Sequence, residues 1–334
     1  MSIGADLFKL DCDELLRELG DGSVDLIVTD PAYESLEKHR AVGTTTRLRV
    51  SDASSNEWFP IYRNERLPRW FAECARVLGK DRHMYVFCDV PTMRVAVPCA
   101  ERAGLTFWNA VVWHKTGGMG MGYHYRRSYE LVLFFEKGKR RLRDLGVPDL
   151  LPFPRVRGGY PTEKPLDLCR LLVTQSTERG ELVFDPFMGS GTSLVAALLE
   201  GRSAAGCDVS EDAFVRTMAR ISREAPGVDV QAWRRGDAGL GLAAPTPYEL
   251  AGAPPLSCRA SGLRWRAARQ LDIGDAAQEG PEVLTAEMET ELRVAVLGGH
   301  AREMSPRHRS AVRALLSALD AARGHLTPCG EEGV

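Results

Sequence analysis

Phe184-Asp185-Pro186-Phe187-Met188-Gly189-Ser190-Gly191-Thr192 joins a short apolar run, Glu181–Phe184, to a helical stretch, Ser193–Glu200. Glycines at 189 and 191 let the backbone come close to a ligand. The helix start that follows presents unpaired N–H groups suited to a carboxylate. No Lys follows the glycines, which excludes a phosphate loop, and a third Gly is missing, which excludes the dinucleotide fingerprint. The next apolar run, Ser203–Cys207, ends at Asp208, where a carboxylate can bind ribose hydroxyls. A lone Gly-x-Gly turn is structurally ordinary. With Asp185, Pro186 and Phe187 before it and Asp208 after it, the turn predicts a nucleoside-type ligand on a parallel sheet.

Upstream of this turn the pattern repeats. Val24–Thr29, His83–Cys88, Phe107–Trp113 and Tyr129–Phe135 are apolar runs rich in β-branched and aromatic residues, as strands are. Helical periodicity occupies Cys12–Leu19, Leu67–Leu78, Met93–Ala103, Pro165–Thr174, Thr192–Leu199 and Glu211–Arg223. Such alternation predicts an α/β fold with a doubly wound, mostly parallel sheet. One domain is expected over residues 1–240. Residues 36–67 lack periodicity and read as a loop beside the site. A linker and basic segment is expected over 241–280, and a helical accessory region over 281–327, from the patterns Thr285–Leu297 and Pro306–Ala322.

Val24–Thr29 ends in Asp30-Pro31-Ala32-Tyr33. Ligands of open α/β sheets sit at the carboxyl ends of strands. An acid, a proline and an aromatic there suit a planar amine. The Asp30 carboxylate and the Pro31 carbonyl can each accept one amino proton, and Tyr33 can stack on a base. An exocyclic amine is a poor nucleophile, because its lone pair is delocalised into the ring. Two acceptors favour a more pyramidal nitrogen with that pair available. The plain alternative for Asp-Pro after a strand is turn chemistry.

Composition sets outer bounds. The chain has 334 residues, 44% hydrophobic and 26% charged, with a formal net charge of −2. These are ordinary values for a globular protein, and they neither require nor exclude a nucleic-acid partner. Its eight cysteines form no CxxC pair, which fits a reducing cytoplasm better than a disulfide framework. No apolar stretch reaches the roughly 18 residues of a membrane helix, and Met1–Leu10 has no secretory pattern. His114 and His124 flank the glycine-rich stretch Gly117–Gly122 without a third clustered ligand, so no metal is expected.

Together these residues resemble the permuted β group of DNA amino-methyltransferases, N6-adenine type. In that group a (D/N/S)PP(Y/F/W) motif comes early and an FxGxG motif late, as Asp30–Tyr33 and Phe187–Gly191 do here. Asn109–Lys115 is similar to its Trp-x-Lys strand end, and Tyr160–Pro165 to its HPTxKP motif. Asp6–Leu15 is similar to its N-terminal GDxxxxL segment. The resemblance covers about residues 5–225. It departs at Ala32, where a second proline is usual, at Leu10, where Gly is usual, and at Tyr160, where His is usual.

The resemblance implies a seven-stranded Rossmann-like methyltransferase sheet with one antiparallel strand and S-adenosylmethionine as cofactor. It implies Asp30, Pro31 and Tyr33 as catalytic residues. Asp11, Cys12, Thr162, Lys164, Asp185, Phe187, Gly189, Gly191, Thr192 and Asp208 would bind the cofactor. Gly236-Asp237 competes with Asp11 for the place facing the cofactor's adenine. Asp at the first motif position favours adenine N6, with cytosine N4 as the alternative. A base within a duplex would have to flip out to react.

Double-stranded DNA is the expected partner, and homodimerisation is left open. From Arg126 to Arg157 nine basic residues (Arg126, Arg127, Lys137, Lys139, Arg140, Arg141, Arg143, Arg155, Arg157) outnumber the acids Glu130, Glu136, Asp144 and Asp149. Residues 137–159 fall where the family inserts a target-recognition region. Lys115, Arg126, Arg127, Lys139, Arg140, Arg141, Arg155 and Arg157 are expected to touch DNA, with a solvated basic loop as the plain alternative. A second basic run, Arg259–Arg269, contains Trp265. Rival readings are an enzyme of the same fold acting on an RNA base or a protein amine, and a catalytically silent nucleic-acid-binding protein.

Overall fold

A computed structural model describes residues 3–34, 60–117, 125–157, 160, 162–234 and 262–263. The described chain runs β1 (Gly4–Lys9), α1 (Cys12–Glu18), β2 (Val24–Thr29), a 3-10 turn (Asn64–Arg66), α2 (Leu67–Val77) and β3 (Leu78–Cys88). It continues through α3 (Val90–Arg102), β4 (Thr106–Thr116), β5 (Tyr129–Lys137), β6 (Leu150–Pro154) and α4 (Leu166–Ser176). β7 (Leu182–Asp185), α5 (Thr192–Leu199), β8 (Ser203–Cys207), α6 (Glu211–Glu224) and β9 (Asp229–Arg234) follow. Two units divide the chain, one of residues 1–240 with 255–266 and one of 241–254 with 267–334. The second lies outside the described residues, as do both expected accessory helices and Gly236-Asp237. Leu263, inside the expected linker 241–280, groups with the first unit and is fully buried.

The sheet has nine strands in the order β6-β4-β5-β3-β2-β7-β8-β1-β9, where seven were expected. β5 alone runs against its neighbours β3 and β4, and every other pairing is parallel. The three strands that no apolar run announced are β1, β6 and β9. β6 carries Pro152 and Pro154, which cannot donate to a ladder, and it survives because it is an edge strand paired only with β4. It also turns part of the expected insertion 137–159 into sheet. Helices pack in two sets, α1 with α2 and α3, and α4 with α5 and α6. α2 buries Trp70, Phe71, Cys74 and Val77 on one stripe, and α4 and α5 bury Leu168, Leu172, Leu194 and Val195.

Chain order reverses at the middle of the sheet. β2 leads to β3 on one side, while its other neighbour, β7, leads to β8. Leu26 pairs with Val183 and Ile27 with Phe184, so the carboxyl ends of β2 and β7 lie side by side. This is the topological switch point, where open α/β sheets bind ligands.

Gly191 caps α5 in the left-handed region, with φ +72°, and a Cβ there would lie 2.6 Å from Thr217 Cγ2 on α6. Gly191→Ala is therefore expected to lower unfolding free energy by about 2–4 kcal/mol, combining left-handed strain with overpacking. Urea denaturation measures this, and a loss under about 0.5 kcal/mol would show that the α5–α6 approach is looser than described.

Candidate active site

One cavity of about 500 Å³ opens at the switch point. The ends of β1, β2, β7 and β8 contribute Asp11, Asp30, Asp185 and Asp208 to its wall. Pro31, Tyr33, Thr162, Lys164, Phe187, Gly189, Thr192 and Cys12 line it too, so the residues singled out in sequence converge. Gly191 is the exception. It does not line the cavity, and its place is the close packing against Thr217.

The glycine turn is held by its own acids. Gly189 N–H donates to Asp208 Oδ2 at 3.0 Å, and Ser210 N–H to Asp208 Oδ1 at 2.8 Å. Phe187 N–H donates to Asp185 Oδ1 at 3.0 Å, and the Ser193 hydroxyl to Asp185 Oδ2. α5 begins with no side-chain cap, and its first residues, Thr192 and Ser193, face the cavity. That end of the cavity therefore offers N–H groups to an anion. Arg220 of α6 donates to Thr192 Oγ1 at 2.7 Å and pairs with Glu163 at 2.9 Å, tying the turn to residues 162–164. Thr162 is a β-branched residue at φ +64°, a strained conformation of the kind found at ligand sites.

A second wall comes from residues 60–66, which sequence reading assigned to a loop spanning 36–67. Tyr62 N–H donates to the Ala32 carbonyl at 2.7 Å, and Asn64 N–H to Glu34 Oε2 at 2.9 Å, so this stretch pairs with the motif at 30–33. Arg66 binds both Asp11 and Asp13, with contacts of 2.8 and 2.7 Å, and its guanidinium lies 4.4 Å over the Tyr62 ring. The Tyr62 hydroxyl donates to Asp13 Oδ1 at 2.7 Å, and its ring meets Phe187 edge-on at 5.0 Å. Asp11, Cys12 and Asp13 stand close enough to hold a metal ion, but Arg66 already balances the two carboxylates. Nothing in the sequence marked Tyr62 or Arg66, since neither belongs to a motif or a periodic run.

Lys164 was expected at the cofactor. It lines the cavity, and its Nζ donates to Asp30 Oδ2 and lies 3.5 Å from Glu130 Oε2. Lys115, expected on DNA, is mostly buried and pairs with Glu130 Oε1. Glu130 escaped sequence reading, although an acid inside an apolar strand run is itself a signal. Burial raises the Asp30 carboxyl above its ordinary range, against the opposing pull of Lys164. Among the described residues no donor reaches Asp30 Oδ1, and Asp30 faces the cavity.

The basic run splits between the two edges of the sheet. Arg126 and Arg127 precede β5, and Arg155 and Arg157 follow β6. Register places all four at the carboxyl edge with the cavity (His114 opposite Tyr129, Thr116 opposite Pro154), and all four are exposed. Lys139, Arg140 and Arg141 follow β5 and lie at the opposite edge, where Arg82 pairs with Lys137. A strand of this length puts roughly 30 Å between the edges. Arg140 is moreover bound to Glu181 through both guanidinium nitrogens, at 3.0 and 2.8 Å. Lys139, Arg140 and Arg141, expected to touch DNA, thus stand at the edge away from the cavity.

Among the described residues no helix is long and apolar enough to cross a membrane. The fold and the cavity define an α/β protein of the doubly wound class, with an acid-proline-aromatic motif beside a glycine turn. The family model described as DNA methylase, of the N6/N4 methyltransferases, matches residues 24–157 and 148–218, more than half of the chain. This chain belongs to that family. It is 25% identical over 241 residues to type II methyltransferase M.HpaI of Haemophilus parainfluenzae, covering 64% of this chain and 73% of that protein. It is 24% identical over 257 residues to type II methyltransferase M1.MboII of Moraxella bovis, covering 62% and 92%. The M1.HpyAVI–SAM complex shares the fold with TM-score 0.50 and 21% identity, over 65% of this chain and 99% of that one. PvuII DNA methyltransferase, cytosine-N4-specific, does so with TM-score 0.52 and 15% identity, over 71% and 97%.

Burial holds the Asp185 carboxyl up to about 6, against hydrogen bonds from Ser193 and Phe187. Its folded value exceeds its unfolded one, so its contribution favours folding below about pH 4 and is lost as pH rises to 6. Asp185→Asn should therefore gain on the wild type between pH 4 and 6, by up to about 3 kcal/mol. Urea midpoints across that range test it, and parallel pH curves would refute it.

Proposed function

We propose that this chain transfers a methyl group to adenine N6 of a flipped-out base in double-stranded DNA. The methyl donor is S-adenosylmethionine. The cavity suits it. About 500 Å³ matches a ligand of its size, Asp11 and Asp208 are acids for its hydroxyls, and the open start of α5 is a seat for its carboxylate. When bound, it supplies a methyl group on a cationic sulfur, open to direct displacement.

The observation that carries the reading is Asp30. Its carboxylate is anchored through Oδ2 by Lys164, while Oδ1 remains for a donor from outside. An amino group bound there donates one hydrogen bond to Oδ1 and the other to the Pro31 carbonyl. Its lone pair then leaves the plane of the ring toward the glycine turn. Tyr33, kept protonated by burial, offers its ring as a stacking face. Fixing both partners in one crevice removes much of the orientational cost of the reaction. Asp in the first motif position supports adenine over cytosine, through the family resemblance.

DNA would lie across the carboxyl edge of the sheet. Arg126, Arg127, Arg155 and Arg157 share that edge with the cavity and are exposed toward phosphates, although Arg127 also pairs with Asp89 at 3.8 Å and Arg157 donates to the Gly117 carbonyl at 2.5 Å.

Asp30→Ala should abolish methyl transfer, by at least about a thousand-fold, while cofactor affinity stays within about two-fold. Tritium transfer and calorimetry report the two quantities, and loss of cofactor binding in that variant would count against the assignment. Sequencing that reads modified bases in DNA from expressing cells identifies the target. N6-methyladenine at a fixed site is expected, and N4-methylcytosine instead would overturn the adenine assignment. Arg126→Ala with Arg127→Ala should weaken DNA binding at least about five-fold and flatten its salt dependence. Lys139→Ala with Arg141→Ala should leave both unchanged, and the reverse result would place DNA on the other edge.

A further inference from the structure

We propose that Glu130 and Lys115 are positioning residues for the transfer: sharing Lys164 between two carboxylates, they leave Asp30 one oxygen for the target amine. The inference rests on the methyltransferase reading above and deepens it.

Four charges of alternating sign stand in sequence across four elements. Asp30 follows β2, Lys164 precedes α4, Glu130 is on β5 and Lys115 on β4. Lys164 Nζ contacts Asp30 Oδ2 and lies 3.5 Å from Glu130 Oε2, and Lys115 Nζ contacts Glu130 Oε1. The Lys164 side chain is only 9% exposed. Glu130 Oε2 is buried and accepts no hydrogen bond among the described residues, so its main partner is the Lys164 charge.

A cation at that depth must be paired. Paired with Asp30 alone, Lys164 would spend its full charge on the carboxylate that must accept the amine, and a carboxylate so engaged is a weaker acceptor. Glu130 draws part of that charge away. Glu130 is itself a second negative charge near Asp30, and unopposed it would favour a proton on Asp30. Lys115 opposes it, with its ammonium 4.9 Å over the Trp113 ring.

The other ionisable groups facing Asp30 are Asp185 on β7, Cys169 on α4, Cys88 on β3 and Tyr33 in its own loop. Asp89, at the start of α3, faces Tyr33. None of these is a cation, so Lys164 and Lys115 supply the positive charge. Glu130 remains ionised despite burial, because two ammonium groups flank it, and Lys164 is held protonated by its two carboxylates despite burial.

The test is the pH dependence of kcat for methyl transfer from tritiated S-adenosylmethionine. The substrate is genomic DNA free of N6-methyladenine and N4-methylcytosine. Asp30 must be a carboxylate, so the rate falls as pH drops through its pKa. Glu130→Gln removes a negative charge, and the acid limb should move down by about one pH unit, with a plateau about ten-fold lower as Lys164 turns wholly to Asp30. Lys115→Met leaves Glu130 uncompensated, and the limb should move up by about one unit. The double variant removes the pair together and should return the limb to within about 0.3 unit of the wild type. Cofactor affinity, measured by calorimetry, should be unchanged in all three, which also shows that they fold. Limbs that stay put, or that move the same way in both single variants, overturn the inference while the wild-type activity stands. A wild-type chain that binds the cofactor but methylates no DNA overturns the functional reading and the inference together.

Discussion

Parallel pairing of β2 with β7 is the constraint on which the site depends. Two registered pairs, Leu26 with Val183 and Ile27 with Phe184, bring together segments more than 150 residues apart in the chain. Both strands are buried almost throughout, and each strand end then has nowhere to go but the carboxyl edge. Asp30 and the turn at 186–191 come to line one cavity for that reason. A slip of one residue would turn every side chain of one strand to the other face and take Asp30 out of the cavity.

Burial at that edge creates the chemistry and also its cost. Four acids reach the cavity from four strand ends, and an acid removed from water has to be paired, hydrogen-bonded or neutral. The structure uses all three solutions. Asp11 is paired with Arg66, Asp208 is bonded to two N–H groups of the glycine-turn region, and Asp185 is pushed toward its protonated form. Asp30 is treated differently, because it is anchored on one side only.

What could be read from the sequence was whatever local chemistry writes in one place. The motifs at 30–33 and 184–192, the acid at 208 and the alternation of apolar runs all carry their meaning in a few consecutive residues. Features built by distant pairing were invisible. β6 was masked by its two prolines, which exclude a central strand but not an edge one. The run of basic residues looked continuous because a chain has no edges. Only the reversal through β5 shows that Arg126 and Lys139 stand at opposite ends of a strand. The resemblance put Lys164 at the cofactor, but its contacts with Asp30 and Glu130, 34 or more residues away in the chain, left no local mark.

Ala32 stands where the family pattern has a second proline, and the structure shows how the lost rigidity is replaced. Proline fixes φ through its ring, which stiffens a loop from within. Here stiffness comes from outside. The Ala32 carbonyl accepts the Tyr62 N–H at 2.7 Å, and Tyr33 bridges Tyr62 in parallel. Tyr62 is anchored in turn by Asp13 through its hydroxyl, by Phe187 through its ring and by Arg66 above it. The same tyrosine thus touches the motif at 30–33, the glycine turn and the helix that follows β1. Asp11, Tyr62 and Phe187 line the cavity together, and Tyr62 carries that wall to Ala32 and Tyr33. A proline ring would have made the motif rigid whether or not the cavity was filled. Pairing with residue 62 ties the motif at 30–33 to the cavity wall instead.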